Sequence, residues 1–305
     1  MAFYFVALLL SSPQNHTLKN TTLNFLYFLG ITVFTAALGF IINEWSDIAD
    51  DKIAQKHNHL ADSSSAYKVI LLSGTLLGIT LTLFVMTWNL KSILLYAIQI
   101  SLLLLYSLKP FRFKRYKILA LILDALYSGT LFYILAICLY SNKLNYLLLA
   151  SLSLWAFVRG LRNFLLHLIS DANFDKQLDF KTIATYYDKE KIMHFLKIYL
   201  LPLEIISFLT LLLQLPYNFI FISSYIIFLI YIHQRQQYII PFLVRRKSII
   251  STNILREVNL YYELFFIYIL IFVLALSQIY FLIFIPIALL LFPKSFNWFK
   301  HLFFK

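Results

Sequence analysis

The chain has 305 residues, 61% of them hydrophobic and only 13% charged, with a mean hydropathy of +0.78. That composition excludes an ordinary soluble domain and points to an integral membrane protein. The formal charge of +12 would suit nucleic acid in a soluble chain. In a membrane chain an excess of Lys and Arg sets topology and touches anionic lipid, so membrane lipid is expected as a partner and nucleic acid is not.

Taken in order, apolar runs between short polar joints predict helical spans near 2–12, 22–43, 67–88, 91–108, 117–140, 144–169, 192–214, 216–233 and 259–292. Strand-like alternation is absent, which argues against a β-barrel. The first run, Ala2–Leu10, lacks a basic lead and a cleavage site and reads as a short membrane segment rather than a signal peptide. The last run contains Pro286 and has room for two short passes, so a tenth crossing or a hinged final helix stays open. Cys138 stands alone inside an apolar run and offers no disulfide or Cys-based zinc site. The expected fold is all-α, a polytopic membrane bundle of about nine transmembrane helices forming a single domain over 1–305.

Basic residues sort the joints. Lys52 and Lys56 follow the second span, Lys109 to Lys117 the fourth, Lys176 to Lys191 the sixth and Arg235 to Arg256 the eighth, while the intervening joints are nearly uncharged. By the positive-inside rule those basic joints face the cytoplasm. The tail residues Lys294, Lys300 and Lys305 would prefer the same side, which favours a tenth crossing.

Half of the fourteen acidic residues fall in two windows, 44–51 and 171–179, each closing an even-numbered span. In the first, Glu44, Asp47 and Asp51 recur at i, i+3 and i+7, so a helix would project them from one face with the Asn43 amide. Stacked carboxylates repel one another unless cations neutralise them, and hard oxygen ligands at this spacing suit Mg²⁺ held together with a substrate phosphate. The second window carries Asp171 and Asp175, with Arg159, Arg162, Asn163 and His167 leading into it along one helical stripe. The repeated arrangement looks like an internal duplication that would bring the clusters face to face around a central cavity. Ionisable side chains inside a span face a cavity or a partner. Arg159 and Arg162 therefore read either as walls of a polar site or as buried partners of Asp124, Glu204 or Glu263.

Two carboxylate clusters at the mouth of an apolar bundle fit a substrate with a diphosphate head and a hydrocarbon tail. Lys109, Arg112, Lys114 and Arg115, with Lys181 beyond the second cluster, are the basic candidates for phosphate contacts, and Arg162 is a further one.

Motifs in this order, at these helix ends, resemble the UbiA superfamily of intramembrane prenyltransferases. Asn43, Glu44, Asp47 and Asp51 match its first motif, Asn-Asp-x-x-Asp-x-x-x-Asp, with Glu44 in place of the usual Asp. Asp171 and Asp175 match the second, Asp-x-x-x-Asp, followed by Lys181-Thr182, and Tyr106-Ser107 with Lys114-Arg115 match a basic joint after the fourth helix. Asp179 stands where many members carry Gly, and the short start lacks the basic, Pro-containing lead that often borders the acceptor site.

The resemblance implies Mg²⁺-dependent transfer of a prenyl group from a prenyl diphosphate to an unidentified aromatic or lipid-type acceptor in the membrane. It implies Asn43, Glu44, Asp47, Asp51, Asp171 and Asp175 as metal ligands, with Asp47, Asp171 and Asp175 central to catalysis. Lys109, Lys114, Arg115, Arg162 and Lys181 would bind diphosphate, supported by Tyr106, Asn163 and His167. A role for Asp124 in deprotonating the acceptor is also consistent with it. Two other functions fit the same motifs: a membrane terpene cyclase acting without an acceptor, and a non-catalytic prenyl-lipid binding or transport protein.

Overall fold

A computed structural model describes residues 1–11, 16–53, 55–141, 145–177, 182–239 and 255–292. Among these residues every regular element is helical, as the hydropathy pattern predicts. The helices are α1 (Ala2–Leu10), α2 (Leu18–Ile53), α3 (Ser65–Val85), α4 (Leu90–Ser107) and α5 (Lys117–Tyr140). They continue with α6 (Tyr146–Gln177), α7 (Ile183–Tyr186), α8 (Lys189–Leu213), α9 (Asn218–Ile239), α10 (Leu255–Ser277) and α11 (Ile279–Leu291).

Six of them, α2, α3, α4, α5, α8 and α10, are long and apolar enough to cross a bilayer. The chain is an integral membrane protein. Its apolar side chains face outward as well as inward: Leu76, Leu77, Leu81 and Phe84 of α3 are exposed, the arrangement lipid permits because hydrocarbon solvates a leucine as well as a protein core does.

Two elements differ from the sequence expectation. The first span is only 9 residues of helix, about 14 Å, too short to cross the hydrocarbon core. It is instead buried in the bundle, with Tyr4, Phe5, Val6 and Ala7 fully covered and Tyr4 Oη donating to the Thr21 carbonyl at 2.6 Å. The last run breaks at Gln278, where the backbone turns extended (φ −149°, ψ 115°), rather than at Pro286, which lies inside α11. Lys294, Lys300 and Lys305, on which a tenth crossing rests, lie outside the described residues, as do residues 240–254 of the eighth joint.

α6 is the pillar of the fold, packing on α5 and α8. Gly160 permits the α5 contact: a Cβ there would stand 2.8 Å from Ala125 Cα. On either side of Gly160 the charges expected of α6 find partners. Arg162, fully buried, makes a two-point pair with Glu204 of α8 at 2.6 and 2.9 Å, and donates to Asn259 Oδ1 and the Leu255 carbonyl of α10. Arg159 pairs with Glu263 of α10 at 2.6 Å and donates to Tyr133 Oη of α5 at 2.7 Å. Four helices are thus fastened by charged side chains, of which Arg162 and Glu204 are fully buried. Removing one partner strands the other: Arg162→Ala is expected to destabilise the fold by about 3–5 kcal/mol, against much less for Arg162→Met with Glu204→Leu. Thermal unfolding in nanodiscs checks this, and equal losses in both variants would contradict it.

Candidate active site

α2 runs without interruption from the bilayer to Ile53, so the first acidic window is helical, as its spacing predicts. α6 likewise carries the second window to its end. The two ends meet. Asn43, Asp47, Asp50 and Asp51 of α2 and Asn163, His167, Asp171 and Asp175 of α6 line one cavity of about 600 Å³, completed by α4 and α5. Phe40, Leu103, Phe132 and Phe164 contribute apolar walls to it.

The carboxylates are met by basic side chains from the joints. Lys114 Nζ sits 2.5 Å from both Asp47 oxygens and donates to Asn43 Oδ1 at 2.8 Å. Arg112 bridges Asp47 and Asp50, reaching Asp50 Oδ2 at 2.6 Å and the Ser46 carbonyl at 3.0 Å, and Arg115 adds a second contact to Asp50 at 2.8 Å. Arg112 takes a left-handed backbone (φ 42°), which is costly for a residue with a Cβ and turns the joint back onto α2. On the other side Lys56 donates to Asp171 Oδ2 at 2.7 Å, and Thr182 Oγ1 to Asp175 Oδ2 at 3.1 Å.

The two lysines respond oppositely. Burial would depress the Lys56 ammonium, but Asp171, with Asp51 and Asp175 behind it, outweighs burial and holds it above the ordinary lysine value. Lys114 is more deeply placed, and burial pulls it below the ordinary value despite Asp47.

The sequence profile of the UbiA prenyltransferase family matches residues 1–241. The chain belongs to the UbiA prenyltransferase family. Two solved structures share the fold, both of a UbiA homologue from Archaeoglobus fulgidus. One, bound to DMAPP and Mg²⁺, is 18% identical with a TM-score of 0.56, covering 85% of this chain and 92% of that one. The other, bound to GPP and Mg²⁺, is 19% identical with a TM-score of 0.55, covering 90% and 94%. Comparison with proteins of curated function returned no match.

Of the residues expected from the UbiA motifs, Asn43, Asp47, Asp51, Asp171 and Asp175 line the cavity, with Lys114, Tyr106, Asn163 and His167. His167 Nε2 stands 3.7 Å from Asp171 Oδ2. Glu44 does not join them. It shares the helix face of Asp47 and Asp51, but its Oε2 accepts the His59 backbone N–H at 2.8 Å while Asn58 Nδ2 donates to the Glu44 carbonyl and to Asp51. Arg162, expected at the diphosphate, is instead committed to Glu204. Arg115 is on Asp50 and Lys109 is exposed, both off the cavity lining. Lys181 and Asp179 lie outside the described residues.

Sequence reasoning passed over Asp50, Lys56 and Gln99, which also line the cavity. Asp50 shares the α2 stripe with Asn43 and Asp47, a signal present in the sequence. In the sequence Lys56 stands only as a topology charge.

Arg112 fastens the joint to α2. Arg112→Met is expected to lower stability by about 1–3 kcal/mol and expose residues 109–116 to protease. Arg112→Lys recovers part of this, because an ammonium cannot bridge two carboxylates as the planar fork does. Melting and limited proteolysis check it; protection equal to the parent in Arg112→Met would contradict it.

Proposed function

We propose that this chain is a Mg²⁺-dependent membrane prenyltransferase of one catalytic unit, using a prenyl diphosphate and a membrane-borne acceptor, with its mouth on the cytoplasmic side. The observation that carries this reading is the convergence of Asp47 and Asp51 with Asp171 and Asp175 on one cavity that also carries apolar and aromatic walls. Membership of the UbiA family and the ligands of the Archaeoglobus homologue support it.

The donor set fits the metal. Asn43, Asp47, Asp171 and Asp175 present hard oxygens, and ammonium groups already sit on Asp47 and Asp171 at 2.5 and 2.7 Å, so this is where positive charge is favoured. Among the described residues no three His, Cys, Asp or Glu side chains form a cage by themselves. Mg²⁺ takes one or two carboxylates and completes its shell with water and substrate phosphate. When bound, the metal neutralises charge building on the departing diphosphate.

The chain's own residues do the rest. Lys56 and Lys114, which pair with Asp171 and Asp47 at the cavity mouth, would donate to diphosphate oxygens seated there. As the allylic C–O bond breaks, its electron pair leaves with diphosphate, and Phe132 and Phe164 of the cavity wall would shelter the cationic carbon from water. The acceptor then forms the new bond to that carbon and gives up a proton.

Asp47→Ala, Asp171→Ala and Asp175→Ala are each expected to cut Mg²⁺-dependent diphosphate release from geranyl diphosphate at least about 100-fold. Glu44→Gln, which keeps an oxygen for the His59 N–H, is expected to stay within about fivefold. Release by the purified protein measures this. Unchanged release in all three Asp variants would sink the reading, and a cyclic hydrocarbon formed without acceptor would replace transfer by cyclisation.

A further inference from the structure

Below the carboxylates the cavity has a second polar zone that metal and diphosphate do not explain. Gln99 lies in the middle of α4, 1% exposed, and lines the cavity with Thr35, Asp124, Tyr127 and Ser128. From Gln99 to Ser107, at the mouth end of α4, the helix rises about 12 Å, so this zone sits well beneath Lys114 and Asp47.

The Gln99 amide has one orientation. Nε2 donates at 3.0 Å to the carbonyl of Tyr127, in a π-helical turn of α5, Leu126–Thr130, and reversing the amide would set two carbonyl oxygens against each other. Oε1 is then buried with no donor from the protein. Buried acceptors are nearly always met, so one left open beside a substrate cavity marks a place where the ligand brings the donor. The neighbouring hydroxyls are engaged: Thr35 Oγ1 with Tyr96 Oη at 2.8 Å, and Tyr127 Oη with Asp124 Oδ1 at 3.1 Å.

Charge narrows what that ligand is. Asp124 is the carboxylate of this zone, hydrogen-bonded by Tyr127 and Ser128. Among the described residues no Lys or Arg makes a hydrogen bond to it, and the lysines that line the cavity contact Asp47 and Asp171. A carboxylate on the ligand would meet like charge, offset in this zone only by the charge His167 carries when protonated, whereas a neutral hydroxyl would not.

We propose that Gln99 is a specificity-determining residue for the acceptor, its Oε1 accepting the O–H of a neutral phenol or alcohol seated between the diphosphate mouth and Phe132. This rests on the prenyltransferase reading above and assigns the chemistry of its second substrate. Asp124, joined to Gln99 through Tyr127, discriminates against acceptors bearing a carboxylate and stands in the zone where the hydroxyl proton would be released.

The test uses the full chain in nanodiscs with Mg²⁺ and geranyl thiodiphosphate, a slow-reacting donor, and three probes of similar shape: 1-naphthol, its methyl ether and 1-naphthoate. After subtraction of binding to empty nanodiscs, 1-naphthol is expected to bind about tenfold tighter than either of the others. Gln99→Leu should bring 1-naphthol to the level of the ether while the Kd of geranyl thiodiphosphate stays within about twofold. Equal binding of naphthol and ether by the parent protein, the result expected if a fixed water occupies Oε1, would overturn the proposal. So would naphthoate binding as tightly as naphthol, or a Gln99→Leu variant that keeps the preference. The comparison of probes on the parent protein needs no variant to fold. Geranyl thiodiphosphate failing to bind the parent protein with Mg²⁺ would instead remove the prenyl diphosphate reading on which the proposal rests.

Discussion

Six carboxylates, Asp47, Asp50, Asp51, Asp124, Asp171 and Asp175, line one cavity, and the repulsion among groups so placed is what the surrounding structure has to offset. The offset comes from outside the two helices that carry five of them. Lys114 and Arg112 swing back from the joint after α4 onto Asp47 and Asp50, and Lys56 reaches from the joint after α2 to Asp171 on α6. Each lysine stands where a metal would be welcome. The negative charge of the cavity is therefore offset in part by its own chain, at positions where a cation is favoured.

That arrangement requires the ends of α2 and α6 to be held in register, and the rigid element responsible is deeper in the bilayer. Arg162 and Arg159 tie α6 to α8, α10 and α5 through Glu204, Glu263, Asn259 and Tyr133. In hydrocarbon each of these groups would be prohibitively exposed alone, so the four helices stay together or come apart together. Asn259 also donates to Asn163 Oδ1 at 2.9 Å, which carries the network to the cavity wall. Fold and site are joined through that amide pair.

The parts legible in the sequence were those where charge interrupts an apolar run. Asp47, Asp51, Asp171 and Asp175 were readable because nothing apolar explains them, and the cavity they share followed from the two windows closing corresponding spans. Glu44 was misplaced because motif position does not say which way a helix faces its next loop; the His59 N–H that claims it belongs to a turn with no hydropathy signature. Arg162 could not be told from a phosphate ligand, since its partner Glu204 lies on another helix and only packing brings them together. Gln99 left a faint mark, one amide in the apolar run of α4, and the feature that gives it meaning, an acceptor without a donor, exists only in three dimensions.

The central claim is that the two acidic helix ends act as one metal-diphosphate site. It is tested most directly by titrating Mn²⁺, a spectroscopic stand-in for Mg²⁺, into the full chain in nanodiscs by electron paramagnetic resonance, with and without geranyl thiodiphosphate. The account predicts that tight Mn²⁺ binding appears only with the thiodiphosphate and is lost in both Asp47→Asn and Asp171→Asn, one substitution at each helix end. Mn²⁺ binding that survives either substitution unchanged would contradict it.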